Sequence, residues 1–141
     1  MSFVRVWIHV VWGTKNRHSY LINDIKQKVI NHIKDNAKQK EIFIDTINGH
    51  HEHLHCLLGL NAEMSISKAM QLIKGEATFW INKEKITDKK FEWADEYFAI
   101  SVSESQLDKV RTYINNQEEH HKKTSFTDEY DKFIQTYKFK I

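Results

Sequence analysis

The apolar period of this chain switches between two and about 3.6 residues in a set order, and that order restricts its folds more than any other feature. Val4, Val6, Ile8, Val10 and Trp12 alternate with Arg5, Trp7 and His9, as expected of a strand with two different faces. Gly13-Thr14-Lys15-Asn16 then carries a turn or loop signal. From about Asn23 to Gln39, Ile25, Val29, Ile30 and Ile33 keep a helical period. Glu41 to Ile47 is β-branched and aromatic, closed by Asn48-Gly49, and reads as a second strand. His53 to Leu60 reads as a third, with Leu54, Cys56, Leu58 and Leu60 inward and His53, His55 and Leu57 opposite. A second helix spans about Ser65 to Lys83, where Ile66, Ala69, Met70, Ile73, Ala77, Trp80 and Ile81 form its stripe. Phe91 to Val102 contains a fourth strand, from Tyr97 onward.

The order β-α-β-β-α-β predicts an α+β class: a ferredoxin-like, RRM-like antiparallel sheet with helices on one face, plus a C-terminal tyrosine-bearing helix. That third helix, about 104–121, opens on a capping box of Ser103 and Gln106 and buries Leu107, Val110 and Ile114. A tail helix, about 126–139, carries Phe126, Tyr130, Phe133, Ile134 and Tyr137 at helical spacing and packs on the domain or on a partner subunit. The first and third strands are central neighbours in this topology. Arg5, Trp7 and His9 are therefore expected beside His53 and His55, on a sheet face left open. Such a basic, aromatic and imidazole-rich face suits a nucleic-acid platform with a metal on it.

Size and composition set the outer bounds. With 141 residues the expectation is a single domain over 1–141 with an ordinary core. Hydrophobic residues at 40% against charged residues at 28% fit a soluble globular protein. The formal charge of +2 is too small to prove a polyanionic partner. Basic residues do cluster, at Lys15/Arg17, Lys83/Lys85/Lys89/Lys90, Lys109/Arg111 and Lys122/Lys123, as a phosphate-tracking surface or a solvated face. The single Cys56 rules out an intrachain disulfide and fits a reducing cytoplasm. The apolar opening from Phe3 to Trp12 contains Arg5, lacks a small-residue cleavage site and is too short for a bilayer, so no membrane attachment is expected.

Two pairs of residues carry the chemistry. His53 and His55 point the same way from one strand. Tyr113 and Gln117, at i and i+4, share one face of a helix. Brought together, they form a small metal site beside a tyrosine nucleophile, which suggests breaking and rejoining a nucleic-acid strand through a phosphotyrosine link. Each residue also has a plain structural reading. His51 shares strand parity with the pair and competes as a ligand, while His50 falls in a loop. His121, four residues past Gln117, either touches phosphate or metal or ends a solvated helix. Lys74 and Gly75 mark close DNA approach or an ordinary helix surface. Cys56 points to the core side without an evident base, and Tyr20, Tyr97, Tyr130 and Tyr137 have no glutamine four residues later.

At this level the chain resembles the single-tyrosine HUH-type transposases, small enzymes of insertion sequences that move as single-stranded DNA. The resemblance runs over His9-Val-Val-Trp-Gly-Thr-Lys-Asn-Arg17, His53-Leu-His-Cys-Leu-Leu58, Tyr97-Phe-Ala-Ile-Ser-Val102 and Val110-Arg-Thr-Tyr-Ile-Asn-Asn-Gln117 through His121. It implies that His53 and His55 are metal ligands, Gln117 a third ligand and Tyr113 the nucleophile, with Glu52 filling the family's acidic position before the pair. It further implies Mg²⁺ or Mn²⁺ as the ion, a 5′-phosphotyrosine intermediate, single-stranded DNA with hairpin ends as substrate, and a homodimer. Arg5, Trp7, His9, Lys15, Arg17, Lys74, Arg111 and His121 are the candidate substrate contacts. Ligand types alone leave zinc open. Two rivals belong to other classes: a non-catalytic nucleic-acid-binding module on the same scaffold, and a metal-dependent hydrolase using His51, His53 and His55. A domesticated, repeat-associated relative would share the transposase chemistry.

Overall fold

The computed structural model describes residues 2–137. Four strands form one antiparallel sheet: β1 (Trp7–Gly13), β2 (Phe43–His50), β3 (His53–Gly59) and β4 (Phe98–Val102), in spatial order β2-β3-β1-β4. The helices are α1 (Ile25–Gln39), α2 (Ile66–Lys83), α3 (Leu107–Asn115), α4 (Gln117–His120) and α5 (Phe126–Thr136). The expected α+β order is present, with β1 and β3 paired at the centre. Ile8, Val10 and Trp12 of β1 and Leu54, Cys56 and Leu58 of β3 pack against Val29, Ile30 and Ile33 of α1 and Met70, Ile73 and Ile81 of α2. Burying each such side chain contributes roughly 1.5–3 kcal/mol, so this layer is the main source of stability.

Strand β2 runs farther than the Asn48-Gly49 signal suggested, through to His50, which pairs with His53. The hairpin turn is therefore His51-Glu52, and His50 is a strand residue rather than a loop residue. Gly49 allows this, because a Cβ there would overlap the His53 carbonyl oxygen and crowd Leu54. A register shift between Ile44 and Thr46 marks a bulge around Asp45. Asp45 accepts two hydrogen bonds from the Arg111 guanidinium, at 2.9 Å each, which ties α3 to the sheet.

The second sheet face differs from expectation: it is not open. Leu57 packs there with Leu107 and Ile114 of α3, and Val11 and Phe98 pack with Phe126, Phe133 and Ile134 of α5. The physical reason is apolar content. Leu57, Val11 and Phe98 point away from the main core, and the stripes of α3 and α5 are what cover them. The tail helix thus packs on its own chain. Its expected last residues, 138–139, lie outside the described residues.

The tyrosine-bearing segment is also not one helix. Ser103 makes no side-chain cap; Glu104–Gln106 form a 3-10 turn, and α3 starts at Leu107. It ends at Asn115, where Asn48 of β2 donates to the carbonyls of Ile114 at 3.1 Å and Asn115 at 3.2 Å. With those terminal acceptors satisfied from outside, the chain breaks at Asn116 (φ −98°, ψ 20°) and restarts as α4. By contrast, Ser65 caps α2 and Ser125 caps α5, each accepting from the backbone N–H three residues on.

Candidate metal and tyrosine site

His53 and His55 leave β3 on the same face, as strand alternation requires, and both are fully buried. His53 Nδ1 lies 2.8 Å from Glu52 Oε1, so it donates there and leaves Nε2 as the bare lone pair, a tautomer that follows from the hydrogen-bond pattern. That nitrogen faces Gln117 Oε1 at 3.0 Å and Glu129 Oε1 at 3.4 Å. His55 Nε2 lies 3.1 Å from Glu129 Oε1, and its Nδ1 meets His9 Nε2 at 2.9 Å. Burial lowers the pKa of His9 to about 3, helped by its neighbour His55, and lowers that of His55 to about 4 against the pull of Glu129. Both imidazoles are therefore neutral near pH 7, which is the ligating form.

Tyr113 stands over His55 of its own chain, with ring centroids 5.5 Å apart. Its hydroxyl donates to Glu129 Oε2. Burial, then the hydrogen bond to Glu129, raise the phenol well above its ordinary value. Burial also works against the Glu129 carboxylate, yet hydrogen bonds from His121, His55 and Tyr113 outweigh it and hold the group far below the usual carboxylate range. His121 presents Nδ1 to the Thr124 carbonyl at 2.6 Å and Nε2 to Gln117 Oε1 and Glu129 Oε1 at 3.0 and 3.2 Å. Both ring nitrogens thus face oxygen acceptors. Burial pulls its pKa down, the bond to Glu129 pulls it up, and the net shift is upward.

A divalent cation fits this donor set. The His53 lone pair faces two oxygen acceptors, which is repulsive unless a proton or a cation lies between them. Neutral imidazole, amide oxygen and carboxylate are a mixed nitrogen and oxygen set suited to Mn²⁺, to Mg²⁺ or to zinc. His53, His55 and Glu129, each buried, offer ligand atoms within 4.8 Å of one another.

Residues 2–117 match the family model described as "Transposase IS200 like". The chain belongs to that family. This IS200-like transposase is 23% identical over 114 residues to the ISDra2 transposase TnpA of Deinococcus radiodurans, a match covering 77% of the chain and 81% of the relative. Its fold is similar to a crystal structure of a protein assigned as a transposase from Deinococcus radiodurans R1, at a TM-score of 0.67 and 21% identity over 82% of this chain and 93% of that one. It is also similar to a REP-associated tyrosine transposase bound to a REP hairpin, at a TM-score of 0.66 and 17% identity over 86% of this chain and 72% of that one.

The fold of this transposase brings together some of the residues singled out in the sequence and separates others. His53, His55, Gln117, Tyr113, His9 and His121 converge. Arg5 and Trp7 do not join them: both reach Glu104 at the far end of β1, where Trp7 pairs with Gly59. Lys15 pairs with Glu92 at 2.8 Å. Arg17, at a left-handed φ of 56°, lies 4.4 Å from the Phe126 ring centroid. Lys74 donates to the carbonyls of Ala94, Asp95 and Glu96, in a cleft that Lys15, Gly75 and Trp93 also line. Arg111 is engaged with Asp45 and Asp108. His51 sits in the hairpin turn, exposed and stacked on His50 at 3.9 Å.

Glu129 and His120 were missed in the sequence. His120 Nε2 lies 3.1 Å from Glu129 Oε2 but is not aligned for a hydrogen bond. The available signal for Glu129 was its place on the apolar stripe of α5, three residues after Phe126 and four before Phe133. A carboxylate on a buried stripe needs a partner. The neutral ligand set anticipated from His53, His55 and Gln117 is thus joined by a negative group.

Proposed function

We propose that this transposase cuts and rejoins single-stranded DNA through a covalent bond to Tyr113. The observation that carries the reading is the convergence of His53, His55, Gln117 and Tyr113 on the Glu129 carboxylate: His55 Nε2 and His53 Nε2 lie 3.1 and 3.4 Å from Oε1, Gln117 Nε2 lies 3.5 Å from Oε2, and the Tyr113 hydroxyl donates to Oε2. Tyr113 Oη attacks the phosphodiester, the new O–P bond forms, and the P–O3′ bond breaks. The phenol loses its proton, the leaving 3′ oxygen gains one, and the 5′ phosphate stays on Tyr113. Rejoining reverses the bonds: a 3′-hydroxyl attacks the phosphotyrosine and Tyr113 leaves. Because the link conserves the energy of the broken bond, no ATP is needed.

His53, His55 and Gln117 would hold a divalent cation, Mg²⁺ or Mn²⁺, whose contribution when bound is to polarise the phosphate and offset its charge. Glu52 fixes the His53 tautomer, and His9 supports His55 through the 2.9 Å contact. A phenol held above its ordinary value is a poor nucleophile by ionisation, so alignment has to carry the step. Phe126 stacks on His53 and Glu129 lies against His55, so α5 lines the same site. A hairpin-ended DNA is the substrate class, supported by the structural neighbour that is bound to a REP hairpin. Residues 1–141 act as one catalytic unit, in a homodimer, as the resemblance implies.

The experiment uses single-stranded DNA from the flanks of the gene, labelled on both sides of each hairpin, with Mn²⁺ and either native protein or Tyr113→Phe. A denaturation-resistant adduct carrying only the 3′-side fragment, absent from the variant, supports the reading. Metal-dependent cleavage without an adduct in either protein overturns it in favour of hydrolysis, and tight binding without cleavage favours a binding module.

A further inference from the structure

Glu129 is a buried ionisable group to which the transesterification assigns no role. It lies on α5, beyond residues 2–117 that match the family, yet its carboxylate sits at the centre of the site and is only 3% exposed. Its Oε1 is 3.1 Å from His55 Nε2 and 3.4 Å from His53 Nε2, while His53 Nε2 is 3.0 Å from Gln117 Oε1. These spacings have a direct meaning for metal coordination. Ligands at about 2.0–2.2 Å from one ion stand about 3.0 Å apart in octahedral geometry and about 3.4 Å apart in tetrahedral geometry. The observed separations therefore match edges of a single coordination polyhedron.

Hydrogen bonding alone accounts less well for the same atoms. His53 Nδ1 donates to Glu52, and Nε2 of the same ring is directed at two oxygens, those of Gln117 and Glu129. His55 meets Glu129 by donating Nε2–H or, with Nδ1–H turned to His9, by presenting a lone pair. One positive ion resolves both contacts.

We propose that Glu129 is a ligand of the divalent cation, supplied by the tail helix to complete a set with His53, His55 and Gln117. This rests on the metal reading given under Proposed function. The carboxylate binds the ion through Oε1 and keeps Tyr113 beside it through Oε2, so the tail couples metal occupancy to the position of the nucleophile. It also lowers the net charge of the loaded site by one, which distinguishes this site from an all-neutral His-His-Gln centre.

The test is Mn²⁺ binding to the full chain, followed by loss of the free-ion electron paramagnetic resonance signal. Glu129→Gln keeps the size and an oxygen acceptor for Tyr113 but removes the charge; its Mn²⁺ affinity is expected to fall at least about tenfold. His53→Ala is expected to abolish binding. Loss of binding in His53→Ala with unchanged affinity in Glu129→Gln overturns the Glu129 ligand while leaving the metal site intact. Unchanged affinity in both variants overturns the metal reading itself. If Glu129→Gln lacks a cooperative melt, native protein decides through hydrogen exchange. Mn²⁺ should slow exchange across Phe126–Thr136, and an unaltered α5 overturns the proposal.

Discussion

The Tyr113 hydroxyl donates to Glu129 Oε2, a contact between residues 16 positions apart on two helices that pack on the same sheet face. It places the candidate nucleophile and the tail helix in one hydrogen-bond network with His53, His55 and Gln117.

Tyr113→Phe removes both the nucleophile and that donor. Strand cleavage is expected to fall by at least about a thousandfold. Stability should drop by about 1–2 kcal/mol, because a buried carboxylate loses one of its hydrogen bonds. Urea denaturation of the metal-free variant checks the second part, and an unchanged midpoint would show that the contact contributes little.

Asn48 decides where α3 stops. Asn48→Ala should cost about 1 kcal/mol for the lost donor to Ile114 and Asn115. Asn48→Asp should cost more, since a carboxylate places negative oxygen against two carbonyls. Equal midpoints for the two variants would sink this account of the helix break. Both should also slow adduct formation, because Tyr113 and Gln117 flank the break.

Phe126 is 3% exposed and stacks on His53 with ring centroids 4.0 Å apart. Phe126→Ala should destabilise the protein by about 3 kcal/mol through the lost burial and the cavity left against Gly13. Faster hydrogen exchange confined to α5 is the accompanying outcome, and a uniform change along the chain would argue against tail-specific anchoring.

Asp45 gives a pH dependence of known sign. Its hydrogen bonds from Arg111, opposed by burial, lower its pKa in the folded state. A lowered carboxylate pKa contributes stability that is complete above the unfolded value of about 4 and is lost as pH falls through the folded value. Native protein should therefore be more stable than Asp45→Asn at pH 6, and the gap should shrink by pH 3. A gap that stays constant in urea melts at both values would remove the ion pair from the explanation.

The alternation in β1 and β3 and the helical stripes of α1 and α2 were legible because each buries a face against the main core, and burial imposes a period on the residues that do it. The direction of His53 and His55 follows from the same alternation. The short spacing between Tyr113 and Gln117 was visible too, but not the helix break between them, since that depends on Asn48, more than sixty residues earlier. Trp7 alternates onto the face of His9, yet the register places it at the opposite end of β1, and Arg5 precedes the strand altogether.

The order of elements, the inward face of each and the shared direction of His53 and His55 are written in the sequence, because these are local consequences of side-chain period. The covering of the second sheet face, the placing of Tyr113 over His55 of its own chain and the closing of the site by Glu129 emerge only in the folded molecule. Those outcomes depend on which distant surfaces meet. A stripe of apolar residues states that a helix needs a partner, but only packing of the whole chain selects which one.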